Sequence, residues 1–553
     1  MPLHGIGKLP LQSVAGRVSL GPLGSLGDAA FNLTTLVEAG VIHPVRPDKL
    51  ARMVLEFHRW GASPTAGIAT SAIEFPDEPA IVDEAGSVSF ADVHGRSNAL
   101  ARALRDFGIE EGDGVAIMCR NHRGFIEATL ACSKLGANCL YLNTAFAGPQ
   151  LTEVVEREDP ALLIYDQEFE ELLGGIRGDL PRLVGWVEDG GPGPDSLEDL
   201  IARADEADLQ PPEESSRFVI LTSGTTGAPK GAQRGQPDTL GPIASLLGAI
   251  PVRSRQTMMI SAPLFHSWGF THFVLSLPLA STMVLRRHFD PEETLRAVEE
   301  SRADVLAVVP VMMQRILELP GEVISNYDLR SLKITSASGS ALPGELATRW
   351  MDTFGDNLYN LYGSTEVAYA TIATPEDLRA APGTAGKPPR GAVVKILDPE
   401  GKELPPGETG RIFVGSEMSF EGYTGGGGKE IVDGLLASGD VGHFDDAGRL
   451  FIDGRDDEMI VSGGENVFPR EVEDLLAGHD AVAEAAVIGV EDEDFGQRLK
   501  AFVVAREEAE LTEEEVKSYV KANLARYKVP REVEFLDSLP RNATGKILKR
   551  ELA

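Results

Sequence analysis

The sequence has few cysteines and a deficit of basic residues, and each shortage excludes a class of protein. Only Cys119, Cys132 and Cys139 occur among 553 residues, without metal-ligand spacing, so we expect reduced core residues rather than disulfides. Lys and Arg number 51 against 85 Asp and Glu, a net charge of −34. This charge argues against a nucleic-acid binder and against a polybasic patch docked on anionic lipid.

Long apolar runs are also missing. The longest stretch without a charged residue, Gln256–Leu285, is interrupted by proline and histidine, and no part approaches the ~20 apolar residues of a membrane-spanning helix. The N-terminus is rich in Gly and Pro and lacks the apolar centre of a secretory signal. We therefore expect a cytoplasmic protein without a transmembrane segment, and a peripheral membrane contact stays open.

From Pro79 onward, β-rich runs alternate with amphipathic helical patterns. Periodicity predicts helices at 97–107, 291–301 and 342–354, and strands at 115–118 and 305–309. This alternation is typical of βαβ units, and therefore of an α/β protein with mainly parallel sheets. Short strands separated by Gly, Pro and Asp predict a β-rich subdomain at about 391–453.

A smaller α/β unit follows. Pro469 is placed to begin a helix, and Thr512 with Glu515 has the spacing of a capping box at the start of another. We accordingly predict a large domain over 1–454, a junction at 455–457 and a small domain over 458–553. Within the large domain, about 1–44 form an unassigned extension.

The strongest motif is T-S-G-T-T-G-A-P-K-G at 222–231, directly after a predicted strand at 218–221. Glycines let the backbone approach an anion, hydroxyls donate hydrogen bonds and Lys230 adds positive charge, so the segment has the chemistry of a phosphate cradle. It is not the usual P-loop, because a proline precedes the lysine and a glycine follows it.

A second motif, N-L-Y-G-S-T-E at 360–366, places Thr365 and Glu366 after an apolar segment. Their oxygens suit a hard cation that bridges phosphates. Three further segments are weak when taken alone: A-S-G-D-V-G at 437–442 with D-G-R-D-D-E at 453–458, S-G-G-E-N at 462–466, and L-P-R-N-A-T-G-K-I at 539–547.

Taken together, in this order, the motifs resemble the acyl-adenylate-forming (AMP-binding) superfamily over about Pro79–Ala553, and most resemble actinobacterial fatty acyl-CoA synthetases. The resemblance implies a large N-terminal domain with two βαβ-type subdomains and a β-barrel, and a small mobile α+β lid. It implies an acid–CoA ligase that uses ATP, Mg²⁺ and CoA: a carboxylate attacks ATP to form acyl-AMP, and a thiol then displaces AMP.

The resemblance also implies roles for individual residues. Lys546, Thr365, Glu366 and Lys230 would be catalytic, with Glu366 on the metal and Asp457 at the hinge. Residues implied to bind ATP or AMP are Thr222, Ser223, Gly224, Thr225, Thr226, Gly227, Lys230, Gly339, Ser340, Ala341, Tyr362, Gly363, Thr365, Asp440, Arg455 and Lys546. Those implied to line the CoA channel are Ser462, Gly463, Gly464 and Glu465.

The segment P-L-F-H at 263–266 resembles the one beside the acyl pocket in this family. The implied pocket residues are His266, Trp268, Phe270, Val309, Met312 and Met313. They include no carboxylate for a substrate ammonium, which favours a fatty acid of medium or long chain. An aryl acid, transfer to a carrier protein instead of CoA, and a non-catalytic nucleotide- or acyl-binding protein are the alternatives.

Two segments depart from the family pattern. Residues 423–436 (YTGGGGKEIVDGLL) are short and glycine-rich, which leaves their packing in doubt. The first 44 residues match nothing in the pattern, and they either pack on the surface or form a contact in a homodimer.

Overall fold

The structure is a computed structural model that describes residues 22–188, 195–221, 230–234, 239–416, 418, 420, 422–424, 426–458, 460–462, 465–492, 496–506, 509, 511–542 and 545–552. Its helices, in chain order, are α1 Pro22–Glu38, α2 Pro47–Trp60, α3 Pro64–Glu74, α4 Phe90–Asp106, α5 Arg123–Leu135, α6 Gly148–Glu158, α7 Leu197–Arg203, α8 Gly241–Ala249, α9 Ser267–Ser276, α10 Pro291–Ser301, α11 Pro310–Leu317, α12 Gly321–Ser325, α13 Gly344–Phe354, α14 Pro375–Ala380, α15 Pro469–Ala477 and α16 Glu513–Asn523.

The strands are β1 Pro79–Asp83, β2 Gly86–Ser89, β3 Gly114–Met118, β4 Asn138–Tyr141, β5 Leu162–Asp166, β6 Arg182–Trp186, β7 Phe218–Leu221, β8 Gly231–Arg234, β9 Thr257–Ile260, β10 Thr282–Leu285, β11 Val305–Val308, β12 Ile334–Ala337, β13 Leu358–Tyr362, β14 Thr371–Ala373, β15 Val393–Leu397, β16 Gly410–Gly415, β17 Gly422–Tyr423, β18 Ile431–Val432, β19 Leu435–Phe444, β20 Leu450–Arg455, β21 Ile460–Ser462, β22 Glu465–Val467, β23 Val482–Asp492, β24 Gly496–Ala505 and β25 Glu532–Phe535.

Two large sheets form the body of the protein. One has the strand order β17-β8-β7-β4-β3-β5-β6 and the other β14-β13-β12-β11-β9-β10-β1-β2. Their central strands pair in parallel, as βαβ units require. A continuous core of buried apolar residues from both sheets and their helices joins them. This arrangement confirms the predicted α/β class.

Two smaller sheets complete the fold. The antiparallel strands β15, β16, β18, β19 and β20 form the β-rich subdomain. After a short 3₁₀ segment at Asp456–Glu458, strands β21 to β25 form a separate sheet with α15 and α16, and this unit has its own apolar core. The large domain with a small C-terminal α+β domain is therefore confirmed. The exact junction at 455–457 stays a prediction.

Local sequence signals account for the helix ends. The capping box of Thr512 and Glu515 is present, and Pro469 begins α15 as predicted. Helix α4 begins at Phe90, seven residues before the predicted start at 97, because Ser89 and Asp92 form a capping box there. No helix within the described ranges is long and apolar enough to cross a membrane.

Candidate active site

A cavity of about 800 Å³ lies where both large sheets and the C-terminal unit contribute side chains. Its wall includes Leu221 at the end of β7, Val309 after β11, Ser338 after β12 and Gly363 after β13. These are carboxyl ends of strands, where ligands of open α/β sheets are generally bound. The predicted phosphate loop joins β7 to β8, and both Leu221 and Lys230, which flank it, line the cavity.

One part of the wall combines an acidic and a basic side chain with an aromatic ring. Strands β19 and β20 place Asp440 opposite Arg455, and Arg455 Nη1 donates to Asp440 Oδ1 at 3.0 Å. Tyr362 donates its hydroxyl to Asp440 Oδ2 at 2.6 Å. Burial, together with the Asp440 charge, raises the pKa of Tyr362, so the phenol keeps its proton. This arrangement holds Asp440 in a fixed orientation at the cavity wall.

Beside it, the Glu366 carboxylate is held at both oxygens. Ser364 donates to Glu366 Oε2 at 2.8 Å, and the Tyr423 hydroxyl donates to Oε1 at 2.7 Å. Lys230 Nζ lies 5.4 Å from the centre of the Tyr423 ring, within range of a cation–π contact. Burial, followed by its hydrogen bond to Glu366 and the Glu366 charge, raises the pKa of Tyr423, which keeps that phenol a donor.

Lys546 reaches the same cavity from the C-terminal unit. Its backbone nitrogen donates to Asn542 Oδ1 at 2.9 Å, within a turn that also contains Gly545 at φ +78°. A β-carbon on Gly545 would overlap the Val311 side chain of α11, so the turn approaches the large domain more closely than any other residue type would allow.

Ion pairs surround this docked turn. Arg541 pairs with Glu484 at 2.7 Å inside the C-terminal unit. Lys549 bridges Glu458 at 3.0 Å and Glu473 at 2.9 Å, and so ties the end of the chain to the segment that follows β20. These ion pairs hold the segment around Lys546 in place within the C-terminal unit.

A second group of residues in the cavity wall is apolar. Residues from four separate segments form it: Ala62, Pro64, Phe218, Ile220, Leu221, Pro242, Ile243, Leu246, Phe270, Val274 and Leu275. The Phe270 ring packs 5.1 Å from Phe218 and 5.2 Å from the buried Tyr141. This aromatic support makes the wall rigid. In the described parts of segments 62–64, 218–221, 242–246 and 262–275, no lining residue is charged.

His266 and Trp268 also line the cavity. Trp268 Nε1 donates to the Ser336 carbonyl at 3.2 Å, whereas His266 Nε2 is buried without a hydrogen-bond partner among the described residues. Burial lowers the pKa of His266 to about 4, so the imidazole is neutral near pH 7. It offers the cavity one hydrogen-bonding atom and no charge.

The structure brings most of the sequence-predicted residues to this cavity and excludes two. The predicted residues found in its wall are Lys230, His266, Trp268, Phe270, Val309, Gly339, Ser340, Ala341, Tyr362, Gly363, Thr365, Glu366, Asp440, Arg455 and Lys546. The prediction for Met312 and Met313 was wrong. Helix α11 turns Val311 and Gln314 toward the cavity, whereas Met312 and Met313 point into the core.

Other predicted residues lie outside the described part of the chain. These are Thr222, Ser223, Gly224, Thr225, Thr226 and Gly227 of the phosphate loop, and Gly463 and Gly464 of the CoA channel. Ser462 and Glu465 pair across the β21–β22 hairpin. The side chains of Ser462, Glu465 and Asp457 are not described. The predicted roles of all these residues stay predictions.

Besides the apolar lining residues, the sequence analysis missed two polar residues of the cavity wall that contact or extend the candidate nucleotide site. Tyr423 lies in the segment that departs from the family pattern. In β17 it pairs with Ala232 of β8, and no local sequence motif predicts this pairing. Asn360 opens the N-L-Y-G-S-T-E motif and was not singled out. Asn360 lines the cavity, and its buried Oδ1 has no hydrogen-bond donor among the described residues. Its position at the start of the motif could have identified it as a candidate site residue.

The fold also assembles a cluster that cysteine spacing does not reveal: Cys119, His122 and Asp166 lie within 4.8 Å of one another and are fully buried. His122 Nε2 is 2.8 Å from Asp166 Oδ1, and its Nδ1 accepts from the Gly124 amide. Asp166 Oδ2 accepts from the Arg120 amide. Since these hydrogen bonds satisfy the two polar side chains, the cluster has a structural explanation.

Sequence comparison identifies the class to which this site belongs. The profile of AMP-binding enzymes matches residues 68–424, and that of the AMP-binding enzyme C-terminal domain matches 471–546. The chain therefore belongs to the AMP-binding enzyme family.

Individual relatives cover nearly the whole chain. An indoleacetate–CoA ligase of Aromatoleum aromaticum is 31% identical over 87% of this chain and 94% of its own length. A 3-[(3aS,4S,7aS)-7a-methyl-1,5-dioxo-octahydro-1H-inden-4-yl]propanoyl:CoA ligase of Rhodococcus jostii is 33% identical over 88% and 97%. Among solved structures, the anthranilate CoA ligase AuaEII in complex with anthranoyl-AMP superimposes with a TM-score of 0.79, at 26% identity, over 88% of this chain and 96% of that one.

Proposed function

We propose that this protein is an AMP-forming acid–CoA ligase whose acid carries an apolar ring system. The observation that carries the proposal is a single cavity with two chemically distinct parts. One part combines Asp440, Arg455, Thr365, Glu366 and Lys546, and the other is an uncharged wall supported by aromatic rings. Such a cavity suits a nucleotide joined to an apolar acyl group.

The polar part fits the requirements of ATP. Asp440 can accept hydrogen bonds from two vicinal ribose hydroxyls, and Arg455 can donate to the same sugar or to a phosphate. The orphaned Asn360 Oδ1 can accept from an exocyclic amino group such as that of adenine. The flat Tyr362 ring offers a stacking surface. Lys230 is placed for the phosphates at the end of the 222–229 loop.

The donor set also fits a magnesium ion, because Glu366 and Thr365 offer the oxygen ligands that hard cations prefer. When bound, the ion would reduce the negative charge of the phosphates. In the first step the carboxylate oxygen of the acid attacks the α-phosphorus and pyrophosphate leaves. Lys546 is proposed to neutralise the charge shared by carboxylate and α-phosphate in that transition state.

In the second step a thiolate of CoA attacks the acyl carbon and AMP leaves. Because Lys546 occupies the cavity wall in the present orientation, we propose that the C-terminal unit turns about 455–457 before this step. The 462–465 hairpin would then line the path of the thiol.

The proposed acid differs from the sequence-based prediction of a fatty acid. The relatives named above are ligases of indoleacetate, of a bicyclic propanoate and of anthranilate, and all three acids carry rings. The wall around Phe270 is supported from behind by Tyr141 and Phe273, so it is a rigid surface suited to a flat or compact ring. The absence of charged side chains in the described part of this wall disfavours acids with a second charge.

A panel of acids tests the proposal. Pyrophosphate release and thioester formation would be measured with indole-3-acetate, phenylpropanoate and ferulate, and with straight-chain acids of matched carbon number, each with and without CoA. We expect kcat/KM at least about tenfold higher for the preferred ring-bearing acid than for its straight-chain match.

Each alternative predicts a different result. A consistent preference for straight chains would restore the fatty-acid prediction. Pyrophosphate release without thioester formation would indicate that a carrier protein, rather than CoA, receives the acyl group. Failure with every acid, at demonstrated ATP binding, would indicate a non-catalytic nucleotide-binding protein.

A further inference from the structure

Helix α2 faces the protein with the partly buried Lys49, Met53, Glu56, Arg59 and Trp60, and it leaves its other large apolar side chains exposed. On the inner side, Lys49 Nζ donates to the Glu74 carbonyl at 2.5 Å, and Arg59 Nη2 donates to the Leu209 carbonyl at 2.7 Å. On the outer side, Leu50, Val54, Leu55 and Phe57 are 47%, 61%, 55% and 43% exposed. None of its 14 residues is buried. A surface helix normally shows the reverse arrangement.

The outward residues have the spacing of a helix–helix contact. Leu50, Val54 and Phe57 are separated by four and three positions, so they form one stripe of the kind that packs in paired helices. Leu33 and Val37 of α1 and Ile42 beyond it are also exposed. Seven of the twelve large hydrophobic residues recorded as exposed in the described chain therefore fall within 25 consecutive positions, and such a concentration marks an interaction surface.

We propose that this face pairs with the same face of a second copy of the chain, with the two α2 helices antiparallel about a two-fold axis. The axis would pass near Val54, close to the middle of α2, so that Val54 meets Val54 of the second copy. Leu50 would then meet Phe57 of the second copy. An isologous contact requires this kind of self-complementary surface.

The distribution of charge favours a second copy. The whole chain carries 51 basic against 85 acidic residues, so two copies repel each other over most of their surfaces. Residues 22–60 contain four of each and are neutral as a segment. The proposed pairing also brings the exposed Asp48 near the exposed His58 of the second copy.

The same observations disfavour a lipid surface as the partner. An interfacial helix binds anionic headgroups with basic residues that flank its apolar face. Here Lys49 and Arg59 are engaged by carbonyl oxygens of the protein itself, and Arg46 pairs with Asp48, so Arg52 is the one arginine or lysine of the described α2 that stays exposed beside the apolar face. The net charge of −34 adds repulsion from an anionic membrane.

Sedimentation velocity of the full-length protein from about 1 to about 100 µM tests the pairing, because a contact built mainly on one 14-residue helix is at the small end of stable interfaces. We expect a monomer–dimer equilibrium in this range. Val54→Glu places like charges face to face and should raise the dissociation constant by roughly 100-fold or more. Ile431→Glu, at a site 62% exposed on β18, is the matched control and should leave the equilibrium unchanged.

A cross-linking experiment tests the two-fold geometry independently. The three native cysteines are buried, so Val54→Cys introduces a single accessible thiol. Mild oxidation should join two chains through this position and should not join Ile431→Cys chains. A wild-type protein that stays monomeric at all concentrations would overturn the proposal, as would absence of the Val54→Cys cross-link. Binding of monomers to phosphatidylcholine vesicles that is lost in Val54→Glu would identify a lipid partner instead.

Discussion

Replacing Tyr423 by phenylalanine removes one hydroxyl group from the candidate metal site and leaves the ring that faces Lys230. That hydroxyl donates to Glu366 Oε1 at 2.7 Å. A hydrogen bond to a charged acceptor contributes about 1.5–3 kcal/mol. Since Tyr423 is partly exposed to the cavity, we take the lower end, which corresponds to a roughly tenfold effect. Without this bond, Glu366 keeps only Ser364 as its described side-chain donor and gains freedom to rotate.

The expected result is a roughly tenfold higher concentration of Mg²⁺ at half-maximal pyrophosphate release, with little change in the KM of the acid. Titration of Mg²⁺ at fixed ATP, together with calorimetry of ATP binding in the presence and absence of Mg²⁺, would measure it. Tyr527→Phe, at a residue 42% exposed, is the control. If the Mg²⁺ dependence of Tyr423→Phe stayed within about twofold of wild type, Ser364 and the backbone alone would orient Glu366, and the reasoning would fail.

Three further predictions concern the lid, the acyl wall and acid stability. Lys546→Ala should slow acyl-AMP formation by roughly 10²–10³-fold while sparing conversion of supplied acyl-AMP and CoA. Gly545→Ala should also slow acyl-AMP formation, because its β-carbon clashes with Val311. The control is Gly448→Ala, at a glycine that also has a positive φ but lies in open space, and it should not slow this step. Equal effects of the two variants would mean that only backbone strain matters. Phe270→Ala should raise KM for the acid several-fold and spare KM for ATP; a parallel rise in both would indicate general loss of packing. Burial lowers the pKa of His272 to about 4, so the unfolded chain, with a pKa near 6.5, binds the proton first as pH falls. The free energy of unfolding should therefore decrease as the pH falls from 6.5 to 4, and this residue should account for roughly 2 kcal/mol of the decrease at pH 5. When the thermal unfolding midpoint is plotted against pH, His272→Gln should show a shallower slope than the wild type.

The fold could be predicted wherever a short range of sequence determines the structure. Helix α10 occupies the predicted range 291–301, and the strand before the phosphate loop occupies 218–221. The start of α4 was misplaced because its capping box lies upstream of the apolar periodicity. Helices α1 and α2 were not predicted at all. In α2 the periodicity is present, but most of its large apolar side chains are exposed, so the pattern does not mark a face buried against the core.

The candidate nucleotide residues could be located from sequence because each comes from a contiguous motif. The acyl wall is different, since it is assembled from four segments between Ala62 and Leu275 that contribute ordinary apolar residues. Met312 and Met313 illustrate the difficulty, because their apolar side chains suit a cavity wall. The orientation of α11 about its own axis instead directs Val311 and Gln314 toward the cavity, and the sequence does not indicate that orientation.

The contrast between the two parts of the cavity has a chemical origin. A phosphate or a ribose hydroxyl must be met by a particular donor or acceptor at a fixed distance, so glycine, lysine, aspartate and threonine recur at fixed spacing. An apolar ring requires only a pocket of suitable volume and shape, which many combinations of side chains can form equally well. The identity of the acid therefore depends on how Phe270 is supported by Phe218 and Tyr141, a relation between three distant segments. Reshaping that support, through Phe218→Leu for example, should change which acid is preferred while leaving adenylation of the best accepted acid intact.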